Sequence, residues 1–234
     1  MNEPNMYDVT AMAVAFENTN WTGYPVGFPI LPATAKSLGQ RKPVHGIGIN
    51  DAPYQIKPRV SGRLIRCPAY TMWASMLARA YCPKFKARNP AYAGVTVCRE
   101  WWSFMEFRRW LLEQPGWQDR VVEKDLLLHG NTVYAPSVCA LVPPAINQLF
   151  VSQQSANGLP VGVYRNGKRY SAGLSINCKR EHLGTFDTVA LAGAAYCSAK
   201  LAYAVRAALP FTSEPTLYAA IIDNAYRCYC SESA

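Results

Sequence analysis

The stretch VGVYRNGKRYSAGLSINCKREHLGTFDTVALAGAAY, residues 161–196, decides the fold reading, because three strand patterns run directly into a helical one. Residues 161–165 alternate apolar and polar side chains, and Asn166-Gly167 is a dipeptide suited to a two-residue hairpin turn. Within 170–176, Tyr170, Ala172, Leu174 and Ile176 share one face, while Ser171, Gly173 and Ser175 share the other. A third strand ends at Leu183 and Phe186, with Gly184 at its bend. Asp187 or Thr188 is placed to cap a helix in which Val189, Ala192, Ala195 and Tyr196 recur at helical spacing. The cations gather on the strands: Arg165, Lys168, Arg169, Lys179 and Arg180, with His182, against the single acid Glu181.

The chain carries a formal charge of +9 over 234 residues, and its distribution says more than its size. Between residues 36 and 88 eleven Lys or Arg face one acid, Asp51, so this zone alone exceeds the balance of the whole chain. Two separated basic zones point to a polyanion touched at two places, most often nucleic acid; the resemblances below narrow the expected partner to double-stranded DNA. A merely solubilising surface would intersperse both signs. Half of the residues are hydrophobic, enough for real cores. No apolar run reaches the roughly twenty residues of a membrane span, and no signal peptide opens the chain, so a soluble protein away from membranes is expected. The eight cysteines are irregularly spaced, which favours reduced, buried thiols over disulfides or zinc.

Outward from the deciding stretch, the punctuation divides the chain. Residues 1–45 read as an extended or flexible N-terminal arm, 46–151 as one folded module and 152–160 (SQQSANGLP) as a linker. The sheet-helix domain then occupies 161–208, and 209–234 a final helix and tail. Within the first module a hairpin is expected around Ser61-Gly62, and a helix over 70–81 with Trp73, Met76, Leu77 and Ala80 inward. After a Lys, Arg and Pro-rich loop come a strand at 95–98 and a helix over 100–112. That helix should turn Trp101, Phe104, Phe107 and Leu111 inward and Glu106, Arg108 and Arg109 outward, and stop at Pro115-Gly116. Strands over 121–128 and 138–142 then lead to a helix opened by Pro143-Pro144.

GVYRN, KRYSAGLSI, KREHLGTFDT and AGAAY, in this order and spacing, resemble the Apetala-two/ethylene-response-factor DNA-binding domain. The resemblance covers about fifty residues and implies a three-stranded antiparallel sheet packed on one helix, with its exposed face in the major groove. By position, the family's contacts fall on Val161, Tyr164, Asn166, Gly173, Ser175, Arg180 and His182. Several of these are Arg or Trp in the plant proteins, whereas here Arg180 is the one evident base or phosphate reader. Arg165, Lys168, Arg169, Ser171 and Lys179 complete the basic, polar set expected around them.

A second resemblance covers residues 47–150. CPAYTMWASMLARAYCPKF, YAGVTVCREWWSFMEFRRWL and VVEKDLLLHGNTVYAPSVCALVPPAINQ together resemble phage-encoded HNH-type homing endonucleases. That implies an α+β chain: a ββα-metal finger with flanking helices, followed by the targeting sheet. It also implies DNA phosphodiester hydrolysis in the cytoplasm of an infected bacterial host. A divalent cation would sit on the scissile phosphate while a base activates water. Hard oxygen donors suit Mg²⁺, or Mn²⁺ in its place, and zinc is not expected. Asp125 and Asn147 match the metal ligands, and Asn131 the Asn that braces the loop. Glu123 lies two residues before Asp125 on the same strand face and offers a second carboxylate. Leu126 stands where the family places its His, so the imidazole nearest in sequence, His129, is the candidate general base. The other reading of the same residues is an HNH-like DNA-binding or regulatory protein that has lost cleavage.

Overall fold

The computed structural model describes residues 28–150, 158–176 and 179–230, which fall into two compact units, 1–141 and 142–234. Most of the expected arm (1–27) and of the expected linker (151–157) lies outside the described residues.

In the first unit a short helix, α1 (Ala35–Gly39), opens the described chain, its Thr34 cap accepting from the Ser37 amide at 3.1 Å. This segment, expected to be part of an extended arm, is pinned by Arg41. Its guanidinium donates to the carbonyls of Asn50 and Ala52, both at 2.6 Å, and of Tyr54 at 3.2 Å. The hairpin expected at Ser61-Gly62 is present as β1 (Arg59–Val60) and β2 (Arg63–Leu64).

Helices α2 (Pro68–Tyr81) and α4 (Phe104–Leu112) build the core. The spacing places Trp73, Met76, Leu77 and Ala80 on one side of α2, and all four are buried, as are Trp101, Phe104, Phe107 and Leu111. At roughly 1.5–3 kcal/mol for each fully buried large side chain, this aromatic cluster is the main stabilising term of the unit. The Trp73 indole N–H is satisfied at the Trp101 carbonyl, 2.7 Å away.

Several elements differ from the sequence reading. The basic loop after α2 contains a short helix, α3 (Pro83–Arg88), opened by its own proline. Residues 100–112 are not one helix: a 3₁₀ turn, Glu100–Trp102, precedes α4, because Ser103 interrupts to cap it. The Ser103 hydroxyl accepts from the Glu106 amide at 3.1 Å and donates to Asp51 at 2.5 Å. Arg108, expected outward, is buried. The strand expected over 121–128 ends at Glu123 (β4, Val121–Glu123), and the one over 138–142 shortens to β6 (Ala140–Val142). A short strand not anticipated, β5 (Val133–Tyr134), pairs in parallel with β3 (Thr96–Val97). β4 pairs with β6, at whose last residue the division between units falls, and α5 (Pro144–Leu149) follows. The expected ββα-metal finger is not shown: β5 falls between the two anticipated strands, and α5 is assigned to the second unit.

The second unit contains the three-stranded antiparallel sheet, β7 (Val163–Asn166), β8 (Arg169–Ile176) and β9 (Lys179–Phe186), packed against α6 (Val189–Ala208). The turn between β7 and β8 is Gly167-Lys168, one residue later than the Asn-Gly dipeptide suggests, with Gly167 at φ 61°. Val163, Ala172 and Ala192 are the buried centre, with Tyr170, Leu183, Phe186 and Tyr196 around them. Thr188, not Asp187, caps α6, accepting from the Leu191 amide at 3.2 Å. Gly162, at φ 78°, lets the chain pass under Tyr196, where a Cβ would lie 2.0 Å from the ring. The last helix, α7 (Pro215–Cys230), packs on α6 and buries Leu217, Ile221 and Ala225. Among the described residues no helix is long and apolar enough to cross a membrane.

Candidate functional site

Residues 123–133 of the first unit form a loop held by side chains rather than by a strand ladder. Glu123 Oε1 accepts from the amides of Lys124, at 2.9 Å, and Asp125, at 2.8 Å, which turns the chain out of β4. Asn131 spans the loop: its Nδ2 donates to the carbonyls of Lys124, at 2.9 Å, and Val133, at 2.7 Å. Its Oδ1 accepts from the Val133 amide at 3.0 Å. Asn131 thus ties Lys124 to Val133 across the loop.

Lys124 is the residue whose role the sequence conceals. Its side chain is only 9% exposed, and its ammonium lies 2.6 and 2.7 Å from the two carboxylate oxygens of Asp125. It also donates to the Asn131 carbonyl at 2.8 Å and lies 5.8 Å from the centre of the Tyr92 ring. Burial, and then the nearby Asp125 charge, hold the Glu123 carboxyl above the usual glutamate range, against the pull of the two amides. Asp125 itself is about half exposed at 48%.

These residues do not fit a divalent cation as they are folded. Both Asp125 oxygens are engaged by an ammonium, and Glu123 Oε1 is spent on two amides. Among the described residues no three His, Cys, Asp or Glu side chains form a group able to hold a metal ion. His129 is exposed on the turn before Gly130, without a hydrogen bond or ion pair among the described residues. Asn147 is half-buried on α5, in the second unit, and the loop of the first unit brings together Glu123, Asp125 and Asn131.

The outer face of the sheet is the other candidate. The register places Tyr164 beside Ser171, Gly173 beside His182, and Ser175 beside Arg180. Across Gly173 the outer strands meet. The Arg180 guanidinium lies over the Tyr164 ring, 4.4 Å from its centre, and the Tyr164 hydroxyl is 3.3 Å from His182 Nδ1. A Cβ at Gly173 would stand 3.1 Å from Arg180 Nε and 3.5 Å from the Tyr164 ring, so the missing side chain is what permits the stack.

Beside this cluster, Asn166 donates to the Ser171 hydroxyl at 3.1 Å, which is 2.9 Å from that of Thr185. Ser171, expected as a contact, is completely buried and braces the face from within, and Gly173 is buried too. Arg169 is tied to Asp187 at 2.7 Å and to the Thr185 carbonyl at 3.2 Å. Ser175, Lys179, Arg180 and His182 are exposed, as are Arg165 and Lys168 at the hairpin end. Arg165 stacks at 5.4 Å from the centre of the Tyr170 ring. Val161 precedes β7 and does not belong to the sheet.

Comparison with family models, with curated proteins and with solved structures finds no match to this chain.

Proposed function

We propose that this protein binds duplex DNA through the outer face of β7–β9. One observation carries the reading: the planar Arg180 guanidinium is preorganised on Tyr164 over Gly173, with Asn166, Ser175 and His182 exposed around it. Such a face offers a flat fork for guanine edges or phosphates, small residues that admit close approach, and cations on its rim. Arg165, Lys168, Arg169 and Lys179 supply phosphate contacts that position the duplex without reading it. The same arrangement agrees with the transcription-factor-like resemblance of this segment. Wild-type protein should bind a labelled duplex with a log-log salt slope of about −5 or steeper, given six or more phosphate contacts. A shallow slope, or no binding, would overturn the reading.

A second reading, hydrolysis of DNA by the first unit as a phage homing-type endonuclease, is favoured by one observation. Asp125 is a half-exposed carboxylate on a loop braced by Asn131, in the places the HNH resemblance gives them. No reaction step is assigned, because Lys124 holds both Asp125 oxygens. Under this reading, supercoiled plasmid is nicked with Mg²⁺ or Mn²⁺ and not with a chelator, and Asp125→Asn abolishes nicking. Binding that leaves the plasmid intact under all these conditions would retain the first reading and remove the second, making the HNH-like unit a scaffold.

A further inference from the structure

The β1–β2 ribbon of the first unit is a strand pair that no other described residue covers. Its base is fixed: the Cys67 amide donates to the Ile56 carbonyl at 2.9 Å, the Ile65 amide to the Pro58 carbonyl at 3.0 Å, and Cys67 is fully buried. Beyond that base residues 59–64 are all exposed. Ser61 and Gly62 both take left-handed φ values, 46° and 79°, giving the tight two-residue turn whose twist matches that of the strand pair. The Arg59 guanidinium donates to the Gly62 carbonyl at 2.7 Å and stiffens that turn.

The chemistry of the ribbon is one-sided. Lys57, Arg59, Arg63 and Arg66 are exposed, and no acid occurs between Asp51 and Glu100. None of the four forms an ion pair among the described residues. Arg59 pairs with Leu64 and Val60 with Arg63, so each face of the ribbon presents one guanidinium and one apolar side chain. Leu64 is 59% exposed, an uncommon position for a leucine. Cations beside a small apolar surface match phosphates beside base edges and thymine methyl groups. A major groove about 12 Å wide admits a two-stranded ribbon.

We infer that the β1–β2 ribbon is a second duplex-DNA contact, carried by the unit that does not contain the β7–β9 sheet. This rests on the DNA-binding reading above, and its test separates the two. The probe is a random-sequence DNA duplex titrated with salt against the full-length wild type, Arg59→Ala/Arg63→Ala and Arg180→Ala. The ribbon variant, whose changed side chains are exposed and whose one lost bond, from Arg59 to the Gly62 carbonyl, is confined to the turn, should keep the wild-type circular dichroism. Its log-log salt slope should flatten by about 2, with affinity lost evenly across sequences. An unchanged slope in the ribbon variant, with Arg180→Ala weakened, overturns the ribbon contact and leaves the sheet reading intact. Failure of the wild type to bind overturns both. Loss of binding to anionic lipid vesicles in place of DNA would make the ribbon a membrane-surface contact and overturn the inference.

Discussion

At the scale of single residues, two lysine and arginine positions separate what the sequence displays from what it hides. Arg180 stands on a strand whose alternation is readable, and its partner Tyr164 lies across a glycine, so the pair follows from register and side-chain size. Arg180→Lys keeps the charge and loses the planar stack, so in fluorescence anisotropy its affinity for a duplex should fall between that of wild type and that of Arg180→Ala. Lys124 is different: nothing local in EKD tells whether its ammonium reaches solvent, because burial is set by Tyr92 and Asn131, which lie elsewhere in the chain. Asp125→Ala should cost about 1–2 kcal/mol in urea unfolding, since it removes the carboxylate facing a buried ammonium but that carboxylate is itself half exposed. Glu123 gives the pH signature. With its folded pKa raised above the unfolded value, its favourable contribution is complete in acid and is lost as pH rises through the folded pKa. Glu123→Gln, which retains the accepting oxygen, should therefore match wild type in acid and unfold at a higher temperature than wild type at neutral pH. Parallel melting curves at both pH values would contradict that assignment.

At the scale of elements, periodicity was informative wherever a face is buried against one neighbour. The apolar stripes of α2 and α4 fall where their spacing places them, because burial of one face imposes its period on the chain, whereas in β8 Ser171 and Gly173 are buried along with Ala172 and Leu174. Elements organised by distant or side-chain partners escaped the pattern. β5 is two residues long and exists through a parallel pairing with β3, more than thirty residues upstream. β4 stops at Glu123 because that side chain bonds the next two amides, a competition that hydrophobic alternation does not register. The contact between the β7 entry and α6 supplies a sharp test of packing. Gly162→Ala combines a positive φ with a collision against Tyr196 and should destabilise the second unit by ~3 kcal/mol. Gly167→Ala also sits at positive φ but meets nothing within 4 Å, and should cost only about 1 kcal/mol. Equal losses in chemical denaturation would mean that the Tyr196 contact contributes nothing.

At the scale of the whole molecule, charge was the most legible property and the reaction the least. The two basic zones lie in different units, one around the β1–β2 ribbon and one on the β7–β9 sheet, as the sequence grouping anticipates. What the loop over residues 123–133 does depends on a lysine whose placement only the fold reveals. Cleavage is therefore a separate question from binding. The central claim, that duplex DNA docks on the outer face of β7–β9, is tested most directly by photo-crosslinking the full-length protein to a duplex containing a photoreactive thymine analogue and mapping the modified peptides. We expect crosslinks at Tyr164 and His182, lost when Arg180→Ala is used at the same protein concentration. Efficient crosslinks confined to other segments, with β7–β9 unmodified, would contradict the account.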